Sequence, residues 1–478
     1  MIVNKYEFEA WIKKSYPDAR ICGEKREIRS IAGHSDKAKE GALFVCLKGS
    51  VSDGHFYART AYERGCRAFL CEKEIKLPGD ATLVLVRSIR EGLYSLLSDC
   101  YGINGDDLSL CAVTGTKGKT TTAYLLTQIL NKAGYKAACS TTLGLFDGNV
   151  TVPTANTTTD LFTLVPWLSD LKSKGVRYAV IEASSAALAG ARLYGMQFNI
   201  GILTSFSVDH VGRGEHRTVA EYLCAKRSLF SSYGIRKAIY PRDIYRGAFI
   251  VSDAEMTVPL PPDEEAVEKT VEQKIGQRFL YKKQWLSLAL PGAHNRTNAR
   301  LALCAASVLT GESEERLIPL LSDIKVEGRY EESEKNGVTV VIDYAHNGES
   351  FISVLTTAKN RTRGRILAVF GSVGGRGEGR RSALARAASA YADYAVITSD
   401  DPGAEDAFHI CAQIYSAFSD KTRGCIITDR LAAIRHAYSL CRPGDTLLLL
   451  GKGHESVQKT KNGVFPFSER RIVDNLGK

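Results

Sequence analysis

At 478 residues, with 44% hydrophobic and 24% charged side chains, the chain has the composition of a soluble globular protein and the length of two to four domains, at roughly 100 to 200 residues each. No apolar run approaches the roughly 20 residues that would span a bilayer, and the charged opening stretch MIVNKYEFEAWIKKSYPDAR lacks the pattern of a signal peptide or anchor, so a cytoplasmic location is expected. The net charge of +10 comes from lysines and arginines dispersed among acids, without basic blocks or interleaved aromatics, which disfavours nucleic acid and suits small anionic substrates.

Residues up to about 103 contain GALFVCLKGSVSDGHFYARTAYERGCRAFL, a first set of strand and helix signals, and YGINGDDL follows as a polar, glycine-containing linker. Next comes CAVTGTKGKTTT, an apolar run that breaks into a glycine loop and continues as the helical pattern TTAYLLTQILNKAG. Farther on, RYAVIEASS, NIGILTSFSVDH, VTVVIDYAHN, RILAVFGSVGG, YAVITSDDP and DTLLLLGKGHE are short apolar runs ending abruptly in polar residues. With helical stretches such as RSALARAASAYA between them, they predict an α/β fold of parallel strands and crossover helices. A new strand series begins near VEGRYEESEKNGVTVVIDYAH, giving three blocks: 1–103, 104–325 and 326–478. Neither an internal repeat nor a low-complexity segment interrupts them. The twelve cysteines lie mostly inside apolar runs with no C-x-x-C pair, so buried reduced thiols are expected in place of disulfides or a zinc ribbon.

Parallel sheets bind ligands outside the carboxyl ends of their strands. That is where this chain carries Glu182, Asp209, His210, Asp343, His346, Asp400, Lys452 and His454. In the glycine loop, backbone N–H groups of Gly115, Thr116, Lys117, Gly118 and Thr121 are candidates to cradle phosphates at a helix N-terminus, with Lys119 on the terminal phosphates and the Thr120 hydroxyl on Mg²⁺. Val113 stands where the common phosphate-loop pattern has its first glycine, so a threonine-rich structural turn is the competing reading. Glu182 and His210 are expected beside the same metal if their strands neighbour the loop strand; the competing readings are a structural carboxylate for Glu182 and a helix cap or crevice filler for His210. Thr218 and Glu221 form a capping box that opens a helix carrying Lys226 among Tyr222, Ala225, Leu229 and Phe230. A desolvated lysine becomes a neutral amine able to take up CO₂ and offer Mg²⁺ a carbamate, whereas most helical lysines only snorkel.

Taken together and in order, GTKGKTTT, IEASS, TSFSVDH, CAKRSLF, GRYE, VVIDYAH, FGSVGGRGEGRR, SDDP and GKGHE resemble the Mur ligase family over nearly the whole chain. The resemblance implies a central P-loop-type parallel or mixed sheet, flanked by an N-terminal α/β domain for a UDP-sugar and a C-terminal Rossmann-like domain for the incoming amino acid. It implies a monomer that forms an amide bond at the expense of ATP and Mg²⁺ through an acyl phosphate, acting on small molecules and not on membranes. Within the family the motifs are most similar to the branch that adds the third residue of the peptidoglycan stem peptide to UDP-N-acetylmuramoyl-L-Ala-D-Glu.

By position, the resemblance implies Lys119, Glu182, His210 and Lys226 as catalytic, with Lys226 carbamylated and Thr120 joining the latter three at the metal. Asn295, with Asn298 beside it, is implied at the adenine, Arg329 at the phosphates, and Asp343 at the ribose with His346 supporting its loop. Ser35, Asp53, Gly54, His55, Thr157, Thr158, Ser184 and Arg192 are implied at the UDP-sugar, although turn capping would equally explain Ser35 and Asp53. Arg381, Asp401, Gly451 and Glu455 are implied at the amino acid.

The chain also departs from the family pattern. His34-Ser35-Asp36 replaces Asp-Ser-Arg, Ala186 replaces a histidine, HVGRGEH differs from the usual segment after Asp-His, and Gly375 replaces an acidic residue. Members that use meso-diaminopimelate carry Asp-Asn-Pro-Arg where this chain has Asp400-Asp401-Pro402-Gly403. The missing arginine disfavours a distal carboxylate, and Asp401 and Glu455 favour a side-chain ammonium, L-lysine before ornithine. The alternatives are a Mur-type paralogue with another acceptor or amino acid, and a nucleotide-binding protein without turnover.

Overall fold

The computed structural model describes residues 3–49, 52–208, 211–212, 215–375 and 379–477. His210, expected at the metal, and Asp209, expected with it at a strand end, lie outside the described residues.

The first block folds around a sheet of β1 (Arg20–Cys22), β2 (Ser30–Ala32), β3 (Ala42–Val45), β4 (Ala68–Cys71) and β5 (Thr82–Leu85), in the order β1-β5-β4-β3-β2. Four strands run parallel and β1 is antiparallel to β5. β3 and β4 are buried at every position, as strands covered on both faces must be. The helix Ile89–Tyr101 leads out of this unit and ends at Gly102 in the left-handed conformation, which a glycine adopts without steric cost.

The second sheet is the platform for the site. It contains β6 (Ser109–Thr114), β7 (Ala137–Thr141), β8 (Gly144–Phe146), β9 (Thr151–Val152), β10 (Tyr178–Glu182), β11 (Ile200–Leu203), β12 (Lys237–Pro241) and β13 (Met256–Leu260), ordered β13-β12-β11-β6-β10-β7-β8-β9. From β13 to β7 all pairs are parallel, and β8 and β9 turn back antiparallel at one edge. β6 therefore lies between β10 and β11, both much later in sequence. At such a reversal of strand order the connections leave on opposite faces and open a crevice at the carboxyl ends. The helices Lys119–Lys132 and Ala293–Thr310 cover one face over an apolar layer that includes Leu125, Leu126, Ile129, Leu301 and Ala305. An antiparallel sheet of β14 (Val267–Glu272), β15 (Gln277–Tyr281) and β16 (Gln284–Leu288) packs Phe279 and Leu286 into the same layer. The sequence runs singled out above did not anticipate this sheet, because its first strand is almost wholly exposed.

The third block carries β17 (Glu331–Lys335), β18 (Val338–Asp343), β19 (Ile366–Phe370), β20 (Tyr394–Ile397), β21 (Gly424–Ile426) and β22 (Thr446–Leu450), ordered β17-β18-β22-β19-β20-β21, with β17 alone antiparallel. Arg361, on a helix of this block, donates to the carbonyls of Gly276 at 2.7 Å and Gln273 at 3.1 Å and to Glu332 at 3.0 Å. It thereby fastens the turn between β14 and β15 to the C-terminal sheet. All twelve cysteines are free, and only Cys224 is exposed.

Candidate active site

The loop between β6 and the helix Lys119–Lys132 is shaped by two glycines. A Cβ on Gly115 would stand 2.0 Å from the Thr204 hydroxyl, and one on Gly118, at φ +80°, would stand 2.3 Å from Asn298 Oδ1. Any side chain at either position would push the loop off its neighbours. The end of β11 braces the loop from the other side: the Thr116 N–H donates to the Ser205 carbonyl at 3.0 Å, the Lys117 N–H to Ser205 Oγ at 2.8 Å, and the Thr204 hydroxyl to the Lys117 carbonyl. Lys119 Nζ curls over the loop and donates to the Gly115 and Thr116 carbonyls, each at 3.1 Å. Its ammonium thus lies above the helix N-terminus, where anions are favoured.

Glu182, 2% exposed at the end of β10, gathers the neighbouring hydroxyls. Its Oε2 accepts from Thr120 Oγ1 at 2.8 Å, from the Thr142 N–H at 3.0 Å and from Thr142 Oγ1 at 3.2 Å. The strand order makes this meeting possible, since β6 and β10 pair with Glu182 level with Val113. Arg329, from the linker into the C-terminal sheet, reaches across to donate to Thr120 Oγ1 at 3.3 Å, and its guanidinium lies 4.7 Å from the centre of the Tyr344 ring.

Lys226 is 1% exposed on the helix Val219–Ser232, and its Nζ sits 4.5 Å from the centre of the Tyr222 ring. The helix begins on Thr218, whose hydroxyl accepts from the Glu221 N–H. Tyr222 is tied to the phosphate loop through Thr116 Oγ1 at 2.8 Å and stacks on Phe206. Lys226 is thereby held against the loop's own supports, away from the solvent expected for a snorkelling side chain.

Asn295 and Asn298 lie at the start of the helix Ala293–Thr310, where Asn298 Nδ2 donates to Asn295 Oδ1 at 3.2 Å and Thr122 Oγ1 donates to Asn298 Oδ1 at 3.3 Å. This pair is packed against the loop helix. Asp343 ends β18 and accepts from the Tyr330 N–H on one oxygen and the Ala345 N–H on the other, each at 2.7 Å. Burial raises its pKa against the nearby Arg329. The two backbone bonds fix the carboxylate's plane, so a sugar hydroxyl would find only the remaining lone pairs. His346 Nδ1 is 2.9 Å from the Tyr344 carbonyl.

On the other flank, Thr158 Oγ1 donates to the Glu182 carbonyl at 2.8 Å and accepts from the Ser184 N–H at 2.9 Å. Arg192 Nη1 donates to the Thr158 carbonyl at 2.7 Å, and Thr157 Oγ1 lies 3.1 Å from Thr142 Oγ1. Four expected UDP-sugar residues thus share one cluster. Ser35 lies in the first block, where its carbonyl accepts from Arg64 at 3.1 Å. A Cβ on the nearby Gly33 would meet the Phe162 ring at 2.5 Å, so this loop lies against the central block close to Thr158. Asp53 and His55 are bonded to each other at 2.6 Å, and His55 Nε2 accepts from the Glu72 N–H at 3.1 Å. Gly54 lies between them, and Lys73 pairs with Asp53 at 2.9 Å, so their polar atoms are engaged within the first block. Sequence reasoning missed Arg90. It donates to the Lys48 carbonyl at 2.9 Å and to the Ala191 carbonyl at 3.5 Å. Burial, with Arg192 also close, pulls its guanidinium below the ordinary value against the attraction of Glu72. A cation in the first turn of a helix runs against the dipole, and that oddity was the available signal.

At the end of the C-terminal sheet, Lys452 is wholly buried and pairs with Asp401 at 2.7 Å, Glu455 at 2.8 Å and Asp400 at 3.5 Å. Burial works against its charge, but Asp400, Glu455 and Asp401 outweigh it and raise its pKa. Glu455 is itself raised, by burial ahead of the opposing Lys452. Gly451, at φ +114°, leaves room for Asp400, whose Oδ2 would stand 2.8 Å from a Cβ there. Arg381, expected to be open to a carboxylate, is 3% exposed, with both terminal nitrogens 2.7 Å from the two oxygens of Glu405. That ion pair holds Glu405 down at about 2. The sequence showed the arginine but not its partner.

Among the described residues no helix is long and apolar enough to cross a membrane. Residues 113–306 match the Mur ligase middle domain, and 328–453 match the domain described as Mur ligase, glutamate ligase domain. The chain is 32% identical to the UDP-N-acetylmuramoyl-L-alanyl-D-glutamate--2,6-diaminopimelate ligase of Clostridium botulinum, covering 97% of this chain and 98% of that protein. It is 33% identical to the enzyme of that name from Bacillus cereus over 94% of both. A solved structure of such a diaminopimelate ligase superposes with a TM-score of 0.66 at 25% identity, covering 97% of this chain and 98% of the other. MurF ligase from Thermotoga maritima, solved in complex with ADP, shares the fold with a TM-score of 0.61 at 19% identity, over 89% and 94% of the two chains. The phosphate loop, the carboxylate that gathers its hydroxyls and these similarities make one conclusion: the chain belongs to the Mur ligase family and is an ATP-dependent ligase.

Proposed function

We propose that this ligase works in the cytoplasm as a monomer and joins an amino acid with a cationic side chain, L-lysine foremost, to UDP-N-acetylmuramoyl-L-Ala-D-Glu in peptidoglycan synthesis. We assign residues 1–103 to UDP-sugar binding, 104–325 to ATP and 326–478 to the amino acid. The observation that carries the reading is the convergence of Lys119, Thr120, Glu182 and Arg329 at one loop.

Thr120 and Glu182 offer hard oxygen donors 2.8 Å apart, a donor set that fits Mg²⁺, with His210 and a carbamylated Lys226 as the further ligands. When bound, the ion would draw charge from the transferring phosphoryl group. Lys119 exchanges its loop carbonyls for phosphate oxygens, and Arg329 steadies the same oxygens from the C-terminal side. The substrate carboxylate oxygen bonds to the γ-phosphorus as the bond to ADP breaks, giving an acyl phosphate. The amine nitrogen then attacks the acyl carbon, and phosphate leaves as the amine's proton is lost. Asn295 and Asp343 orient the nucleotide.

For the UDP-sugar, Ser35, Thr157, Thr158, Ser184 and Arg192 are the contacts, and Arg90 supplies the cation that the chain lacks at Asp36. Arg90→Ala is expected to raise KM for the UDP-sugar roughly tenfold, the worth of one charge-assisted hydrogen bond, with kcat nearly unchanged; steady-state kinetics checks this.

The choice of amino acid rests on Gly403 and the acids around Lys452. Gly403 carries no guanidinium for a distal carboxylate, and three carboxylates face the single ammonium of Lys452, leaving an excess of negative charge. A second reading, meso-diaminopimelate, is favoured by the names of the relatives. The test incubates the protein with ATP, Mg²⁺, the UDP-sugar dipeptide and a panel of L-lysine, L-ornithine and meso-diaminopimelate, following phosphate release and product mass. Product with lysine supports the reading. Product with diaminopimelate alone overturns the amino-acid assignment, and phosphate release only with another acceptor overturns the function.

A further inference from the structure

The phosphate loop occupies the carboxyl edge of the second sheet. At the opposite, amino edge is a cleft of about 450 Å³, within the size range of small-molecule sites. It lies on the seam between the first two blocks. Its floor is apolar and buried, made by Ile103, Leu108, Leu110, Leu168 and Phe198. Nothing in the ligase reading uses it.

Three features of its lining point to a ligand. Ser98 is 8% exposed, and its hydroxyl has no hydrogen bond within 3.5 Å among the described residues, its interaction with the half-buried Tyr94 phenol being a longer one. A buried hydroxyl left this way is costly unless something else bonds to it. Arg236 and Asp106 line the same cleft, are exposed, and form no ion pair with any described residue. Finally, the helices Ile89–Tyr101 and Val219–Ser232 both end beside it without a basic residue in the last turn. In a parallel α/β unit the helices return to the amino edge, so their negative ends face this side, and Asp99 adds to them while pairing with Lys14.

We propose that this cleft binds a small zwitterion with an apolar body, an amino acid or dipeptide. Its carboxylate meets Arg236, its ammonium lies toward Asp106 and the helix ends, and its apolar side chains rest on Ile103, Leu168 and Phe198. The Ser98 hydroxyl bonds to a peptide or carboxylate oxygen. The floor is continuous with the catalytic loop: Asn199 Oδ1 accepts from the Leu110 N–H at 2.9 Å, clipping together the amino ends of β6 and β11, whose far ends build the phosphate loop and its brace.

Titration calorimetry on the full chain tests the proposal with L-leucyl-L-leucine, its N-acetyl derivative and its amide as probes. The expected result is saturable binding of the free dipeptide, with roughly tenfold weaker binding of the two blocked forms and of the free dipeptide to Arg236→Gln and Asp106→Asn. Both positions are exposed and outside the catalytic machinery, so ligase turnover should persist in both variants. No binding of the dipeptide up to about 10 mM, equal binding of the blocked forms, or undiminished binding to the double variant overturns the proposal. Ligase turnover is read separately, so failure here leaves the ligase reading intact, and failure of that reading leaves this one testable.

Discussion

Lys119→Ala is expected to lower kcat at least roughly a thousandfold, with circular dichroism and thermal midpoint close to those of the parent. The fold should survive because Lys119 Nζ bonds to carbonyls of its own loop, at Gly115 and Thr116, and the loop is separately braced by Thr204 and Ser205. The chemistry should not survive, because phosphoryl transfer spreads negative charge over oxygens that only a fixed, water-excluded cation can follow to the transition state. Phosphate release with saturating ATP and UDP-sugar is the measurement. Turnover within tenfold of the parent would dismiss the loop as the phosphate site.

Glu182→Gln should be nearly as damaging for a different reason. The amide keeps the size of the carboxylate and leaves an oxygen to accept from Thr120 and Thr142, so the local packing should hold. It removes the negative charge that a divalent cation needs, and its NH₂ cannot accept at all. We expect kcat to fall roughly a hundredfold and half-maximal Mg²⁺ to rise roughly tenfold, checked by titrating Mg²⁺ at fixed ATP. A parental Mg²⁺ profile would reduce Glu182 to a scaffold for the threonines around it.

What the sequence made legible follows from where the information sits. Gly115, Gly118 and Lys119 could be read because a strand, a tight glycine loop and a helix N-terminus are all local patterns, and the loop tolerated Val113 because the first-glycine position falls inside β6, where an ordinary buried residue fits. Lys226 could be placed on a partly buried helix face from its spacing to Tyr222 and Leu229, and it is in fact fully enclosed. Pairings between separate elements, made only when the chain folds, had no such local signature. Nothing near Arg381 foretold that Glu405 would bind both its terminal nitrogens, and nothing near Asp401 that Lys452 would already pair with it, whereas the Asp53–His55 contact is the local turn bonding that the sequence offered as the alternative to a sugar. Arg90 was passed over because its local signal, a cation in the first turn of a helix, is weak, and its neighbour Arg192 comes from another block. The antiparallel sheet β14–β16 escaped because its first strand lacks the apolar run that betrays a buried one.

The placement of β6 between β10 and β11 also bears on how the chain is made. As the ribosome releases it from the N-terminus, β6 is complete while both of its eventual neighbours are still unsynthesised, and its backbone N–H and C=O groups have no strand to pair with. It must wait for Tyr178–Glu182 on one side and Ile200–Leu203 on the other. Pairing between segments so far apart in sequence is slow, and an apolar strand with two open edges invites wrong partners in the meantime. Fragments ending before Leu203 should therefore aggregate, and refolding of the intact chain should be limited by the closing of this one strand into its sheet.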